Sequence, residues 1–297
     1  MISSSERVSV SLKTLVDLAA PATGLKFHHR AIRAKQSGGF ISRFKGRGME
    51  FDETRLYQAG DDIRSIDWRV TARTGKTHTK IFREERERPV FISVDCRTAM
   101  DFASRGVFKS VLAKKIAALL AWTACHHGDR IGGQLFFDSH CEEFKPQNGR
   151  RAVLHFLNAL IKANTDSSKY AENDLETTLS RLLHHARAGS LVYLISDFRG
   201  LTENAQNYLI KLARHCDVVL LFIFDALEQN LPTTGQYRFS DGENDLTLNI
   251  SNHARLQYQT QFFSKHNSLQ NFAQQHGMIF QSLHTQANVL DCLKLKK

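Results

Sequence analysis

Three stretches decide the fold: VFISVD at 90–95, SLVYLISDF at 190–198 and DVVLLFIFDALE at 217–228. Each holds a mostly apolar run closed by a carboxylate, at Asp95, Asp197 and Asp225. Short runs of this kind, rich in Val, Ile and Leu, read as strands buried on both faces. The intervening segments carry the helical period. From Val107 to His126, Phe108, Val111, Leu112, Ile116, Leu119 and Leu120 share one face. RAVLHFLNALIKA (151–163), DLETTLSRLLHHA (174–186) and ENAQNYLIKLARHC (203–216) read as further helices, the second with Asn173 or Asp174 as N-cap. This alternation predicts an α/β fold with a mostly parallel, doubly wound sheet and helices on both faces. Ligands of such sheets gather beyond the carboxyl ends of the strands, where the three Asp residues stand.

Working outward, RIGGQLFFD (130–138) reads as a strand with CEEFKP (141–146) as a hairpin partner. Residues 236–250 read as a hairpin turning at Asp241-Gly242. A helix is expected from Asn252 to His276, after which GMIFQSLHT (277–285) closes the sheet. Before the first strand, 9–20 places Leu12, Leu15, Val16 and Ala19 on one helical face, and Pro21 should stop that helix. The expected division is 1–88, with this helix, a basic strip and a polar segment, and 89–297, the α/β domain.

Composition agrees with a globular chain: 297 residues, 42% hydrophobic and 24% charged. The longest apolar stretch, Val218–Phe224, is far shorter than the roughly 18 residues that span a bilayer. Glu6, Lys13 and Asp17 break the only candidate leader, which argues against an ordinary signal peptide. Five cysteines, none at C-x-x-C spacing, read as reduced thiols of a cytoplasmic protein. The net charge of +10 is concentrated early, since residues 1–90 hold 18 Lys+Arg against 11 Asp+Glu. Lys26, Arg30, Arg33, Lys35, Arg43, Lys45 and Arg47 form a strip without an acid, interleaved with Phe27, Phe40 and Phe44. Such a strip suits nucleic acid, an anionic membrane or an acidic partner, or is a solvated segment.

Few residues promise catalysis. Gly75-Lys76-Thr77 lacks the earlier Gly of a phosphate loop, where Val70 stands instead. No G-x-S-x-G elbow and no H-E-x-x-H pair occur. The densest polar pattern is GMEFDETRLYQAGDDIRSIDWRVTAR, 48–73, with Arg55, Tyr57, Gly60, Asp61, Asp62, Arg64, Asp67, Trp68, Arg69 and Arg73. It reads either as a recognition surface or as a clasp of ion pairs tying the amino-terminal segment to the α/β domain. The clasp is favoured, because charges alternating in sign tend to satisfy one another.

That pattern resembles the signature of the domain-of-unknown-function 58 family, roughly G-x-x-F-x-x-x-R-x-Y-x-x-G-D-D-x-R-x-I-D-W-x-x-x-A-R. Members of that family join such a segment to a divergent von Willebrand factor A-like domain, and the resemblance covers about residues 40–297. Metal-binding A-like domains hold Mg²⁺ with two carboxylates, two Ser and a Thr. By position, Asp95 and Asp197 match the carboxylates, Arg97 and Ala99 fall on the Ser positions, and Asn173 falls on the Thr. The resemblance therefore implies a degenerate metal site, with Arg97 available to bridge Asp95 and Asp197, and no cofactor. It further implies a non-enzymatic, cytoplasmic adaptor or co-chaperone working with a MoxR-type AAA+ ATPase in assembly or maturation of client proteins. The alternatives are a nucleic-acid-associated protein using strip 26–47 and, more weakly, a metal-dependent hydrolase at Asp95 and Asp197.

Overall fold

The computed structural model describes residues 4–25, 27, 49–84, 88–163, 174–232, 235–240 and 245–292. The chain forms two compact units, residues 1–30 with 88–297, and residues 31–87. The first thirty residues therefore join the α/β unit, whereas the sequence reading grouped them with the polar segment.

The chain opens with α1 (Ser4–Val8), α2 (Leu12–Asp17) and α3 (Ala19–Ala22). The Ser11 hydroxyl caps α2 by accepting from Thr14 N. Pro21 does not stop the expected helix. It lies within the first turn of α3, where a missing N–H costs no hydrogen bond, and the break falls at Leu18 instead.

The unit of residues 31–87 contains β1 (Met49–Leu56), a 3₁₀ turn at Ile63–Ser65, α4 (Trp68–Thr74) and β2 (His78–Glu84). β1 and β2 pair antiparallel, with Leu56 opposite His78. The Asp67 carboxylate caps α4 by accepting from Arg69 N and Val70 N, and Gly75 ends it at φ 70°.

The α/β unit continues through β3 (Pro89–Asp95), α5 (Lys109–His126), β4 (Arg130–Phe136), β5 (Cys141–Gln147) and α6 (Arg150–Lys162). Next come α7 (Leu175–His185), β6 (Leu191–Ser196), α8 (Glu203–Ala213), β7 (Asp217–Phe224) and α9 (Ala226–Gln229). The hairpin β8 (Gly235–Ser240) and β9 (Asp245–Ile250) precedes α10 (Asn252–Gln275), β10 (Ile279–His284) and α11 (Val289–Cys292). Six strands form one sheet in the order β10-β7-β6-β3-β4-β5. All neighbours are parallel except the β4–β5 hairpin. The three decisive strands thus lie side by side in the interior.

Alternating residues of these strands feed two apolar cores. Val90, Ile92, Val94, Leu191, Tyr193 and Ile195 pack on one face with residues of α2, α5 and α6. Phe91, Val192, Leu194, Val218 and Leu220 pack on the other with residues of α7, α8 and α10. The period of two along each strand is what places helices on both faces. The amino-terminal helices close the first face. Leu15 is fully buried there, and its carbonyl accepts from the indole Nε1 of Trp122 at 3.0 Å. At the opposite end of the strands, Arg88 donates to the Gly189 carbonyl and pairs with Asp217, fixing where β3 begins.

Candidate functional site

β3, β6 and β7 deliver their terminal carboxylates to one edge. Asp95 is fully buried. Arg97 grips it in a two-point fork, Nε to Oδ1 at 2.9 Å and Nη2 to Oδ2 at 2.7 Å. The Ser196 hydroxyl donates to Oδ2 at 2.6 Å. Burial pushes the Asp95 carboxyl up, and Arg97 and Ser196 pull against that rise. The guanidinium also lies 5.5 Å from the Phe136 ring centre, and Nη1 donates to the Arg199 carbonyl. Arg97 is therefore spent inside the protein, with Asp197 Oδ1 3.8 Å from its Nη2.

Asp197 anchors a second cluster. Lys109 at the first turn of α5 places its ammonium 2.9 Å from Asp197 Oδ2 and 2.8 Å from Glu228 Oε1. Arg199 bridges the same two carboxylates, Nε to Asp197 at 3.1 Å and Nη2 to Glu228 at 2.8 Å. Phe198 between them has φ 52°, a conformation rare for a residue with a side chain. That turn allows both the N–H and the guanidinium of Arg199 to fold back on Asp197. Burial alone would raise Asp197, but the attraction and hydrogen bond of Lys109, helped by Arg199, hold it below the usual carboxylate value.

Asp225 serves its own chain end. It caps α9 in a reciprocal box with Glu228 and accepts from the Ser104 and Thr285 hydroxyls. Sequence reasoning missed Lys109, Arg199 and Glu228. The available signal for Lys109 was its place in the first turn of a helix, where the macrodipole disfavours a cation unless carboxylates lie nearby.

The other expected residues disperse. Ala99 sits in a 3₁₀ turn, Thr98–Met100, that Asp138 holds through the N–H and hydroxyl of Thr98. Asn173 and the basic strip (Lys26, Arg30, Arg33, Lys35, Arg43, Lys45, Arg47) lie outside the described residues. In the polar segment, Arg55 pairs with Asp61 at 2.7 Å, and the Tyr57 hydroxyl donates to the Asp61 carbonyl. Gly60, at φ 108°, makes the turn between them. Among the described residues, Asp62 and Asp67 make no ion pair with the guanidinium of Arg64 or Arg73. They cap helical turns through backbone N–H groups, and Lys80 approaches Asp67 only to 3.9 Å. The alternating charges thus form a single close ion pair among the described residues of this unit, not a network. Trp68 stands 67% exposed on α4.

A scan against family models matches residues 53–268 to "Protein of unknown function DUF58". The chain belongs to the DUF58 family. The match spans the polar segment from Glu53 onward and the whole carboxylate cluster through Glu228. Curated relatives include the uncharacterized proteins Rv1480 of Mycobacterium tuberculosis and Mb1516 of Mycobacterium bovis. Each is 28% identical over 214 residues, 72% of this chain and 67% of the relative. Similar solved structures include the conserved hypothetical protein BatB of Bacteroides thetaiotaomicron, at 13% identity and a TM-score of 0.38 over 64% of this chain and 98% of that one. Another is an aerotolerance-related membrane protein of Bacteroides fragilis, at 13% identity and a TM-score of 0.42 over 69% and 96%. Among the described residues of this DUF58 chain, no helix is long and apolar enough to cross a membrane.

The donor set at the edge does not fit a divalent ion. Mg²⁺ requires hard oxygen ligands on several sides. Here the oxygens of Asp95 and Asp197 already face a guanidinium and an ammonium within 3 Å, so an added cation would meet two like charges. Among the described residues, no group of three His, Cys, Asp or Glu side chains is placed to hold a metal. Burial also pushes the Cys96 thiol up to about 12 and those of Cys141 and Cys216 to about 11, which leaves them poor nucleophiles.

Proposed function

We propose that this DUF58 chain is a non-catalytic protein-interaction module, with a von Willebrand factor A-like α/β domain, that serves a MoxR-type AAA+ ATPase as adaptor or co-chaperone. One observation carries the reading: each of Asp95, Asp197 and Glu228 is paired with an internal cation. A hydrolase needs a carboxylate free to hold an ion or activate water, and here that work is replaced by charge neutralisation. In the A-like reading, Arg97 and Lys109 stand on the oxygens that would otherwise hold the metal, so the edge keeps its shape without one. Family membership supports the partnership with the ATPase, which would supply the hydrolysis. The place of action proposed is the cytoplasm.

The test is capture of a MoxR-type ATPase from the same genome by the full chain, with and without ATP. Stoichiometric capture is expected; its failure under both conditions would overturn the adaptor role.

A further inference from the structure

A cavity of about 210 Å³ opens beside the ion network. One wall is the network itself, Asp197, Arg199 and Glu228. The other is a single face of α10, where Tyr258, Gln261, Phe262 and Lys265 recur at helical spacing. Phe222 of β7 and Phe262 make the lining partly apolar. Three cations, Lys109, Arg199 and Lys265, surround two carboxylates, Asp197 and Glu228. Both carboxylates are taken by Lys109 and Arg199.

Lys265 is the cation left over. Its Nζ donates to the Asp197 carbonyl at 3.2 Å and lies 6.0 Å from the Phe222 ring centre. Its other hydrogens meet no acceptor among the described residues, and neither do Arg199 Nη1, the Tyr258 hydroxyl or the Gln261 amide. Positive charge in excess, several donors without acceptors, and the two phenyl rings suit a carboxylate on a short aliphatic stem. The size agrees, since pockets for drug-sized ligands begin near about 300 Å³ and this one, at about 210 Å³, suits a side-chain-sized group.

We propose that this pocket binds a carboxylate on a short aliphatic stem, presented as a glutamate side chain by a partner protein. The assignment of a protein source rests on the interaction reading above; the carboxylate chemistry does not.

The probes are glutarate, its neutral diamide, and a capped pentapeptide Gly-Ala-Glu-Ala-Gly, each titrated into the ¹⁵N-labelled full chain. Saturable shifts are expected around 197–199, 228 and 258–265 with glutarate and the peptide, and none with the diamide. Lys265→Met should weaken binding by about tenfold or more, the effect of one charge-assisted hydrogen bond, and Lys265→Arg should keep most of it. Lys265 is solvent-accessible, so both variants should fold; Gln261→Leu, also on the exposed face, gives a second probe of the same wall. An equal response to the diamide, or binding indifferent to Lys265→Met, would overturn the site. Glutarate binding without peptide binding would overturn the protein source. Intact ATPase capture with no probe binding sinks the pocket alone, and probe binding without capture sinks the adaptor role alone.

Discussion

The ammonium of Lys109, wholly shielded from solvent, lies 2.9 Å from the Oδ2 of Asp197, 88 residues away in the chain. Removing one member of a buried ion pair leaves its partner uncompensated, at a cost of about 3–5 kcal/mol. Lys109→Met should lose stability of that order in urea denaturation at neutral pH. Adding Asp197→Asn should restore part of the loss, because the two changes are coupled. A single-variant loss below about 1 kcal/mol would contradict a buried, obligatory pair.

Arg97 is expected to act as a brace. Arg97→Ala should lower the melting temperature markedly while leaving ATPase capture by the remaining folded protein unchanged. Arg97→Lys should rescue only in part, since an ammonium cannot reproduce the two-point grip on Asp95. An unchanged melt with weakened capture would instead place Arg97 at a partner surface.

Calorimetry with Mg²⁺ or Mn²⁺ should show no specific heat of binding. A one-to-one isotherm, lost on Asp95→Asn, would overturn the proposal that Arg97 and Lys109 stand where an A-like domain would hold an ion.

Asp225 offers a pH test. Burial would raise its pKa, but the hydroxyls of Ser104 and Thr285 and the N–H of Leu227 together hold it below the ordinary 3.8. A depressed folded-state value means that its contribution is fully present above the unfolded pKa, about 3.9. The contribution is lost as pH falls through the lower folded value. Asp225→Asn keeps a cap acceptor but cannot titrate. Urea midpoints followed downward from about pH 5 should therefore fall more steeply for the natural protein than for the variant. Parallel slopes would refute the assignment.

Asp67 and Trp68 are neighbours with opposite expectations. Asp67→Ala removes the cap of α4 and should cost about 1 kcal/mol, read as faster hydrogen exchange at Arg69 and Val70. Trp68→Ala, at an exposed position, should change stability by less than about 0.5 kcal/mol. A large loss there would show that the indole is covered.

Part of the site was legible in one dimension. Asp95, Asp197 and Asp225 were visible because each closes an apolar run, and Arg97 because it stands two residues from Asp95. α4 was not, since a seven-residue helix carries too short an apolar period, although Asp67 and Gly75 mark its ends. Within the polar segment, the charges do not pair as their alternation suggests, for a related reason. Alternating charges suggest mutual pairing, but backbone N–H groups at Arg64, Arg69 and Val70 lie closer to Asp62 and Asp67 than any guanidinium among the described residues does.

By itself, the sequence determined the central strands and the longer helices of the α/β unit, that the sheet is mostly parallel, and that carboxylates collect at one edge. Those follow from period and from short connections, which are local properties. Only the tertiary structure decided what the carboxylates do. Lys109 and Glu228 are 119 residues apart, and Lys265 is 68 residues beyond Asp197. Their meeting depends on strand order and on how α5 and α10 pack across the sheet, and no residue pattern along the chain encodes that distance. Charge neutralisation is a property of the assembled edge, because a Coulomb interaction is set by separation in space and by burial, not by separation in sequence.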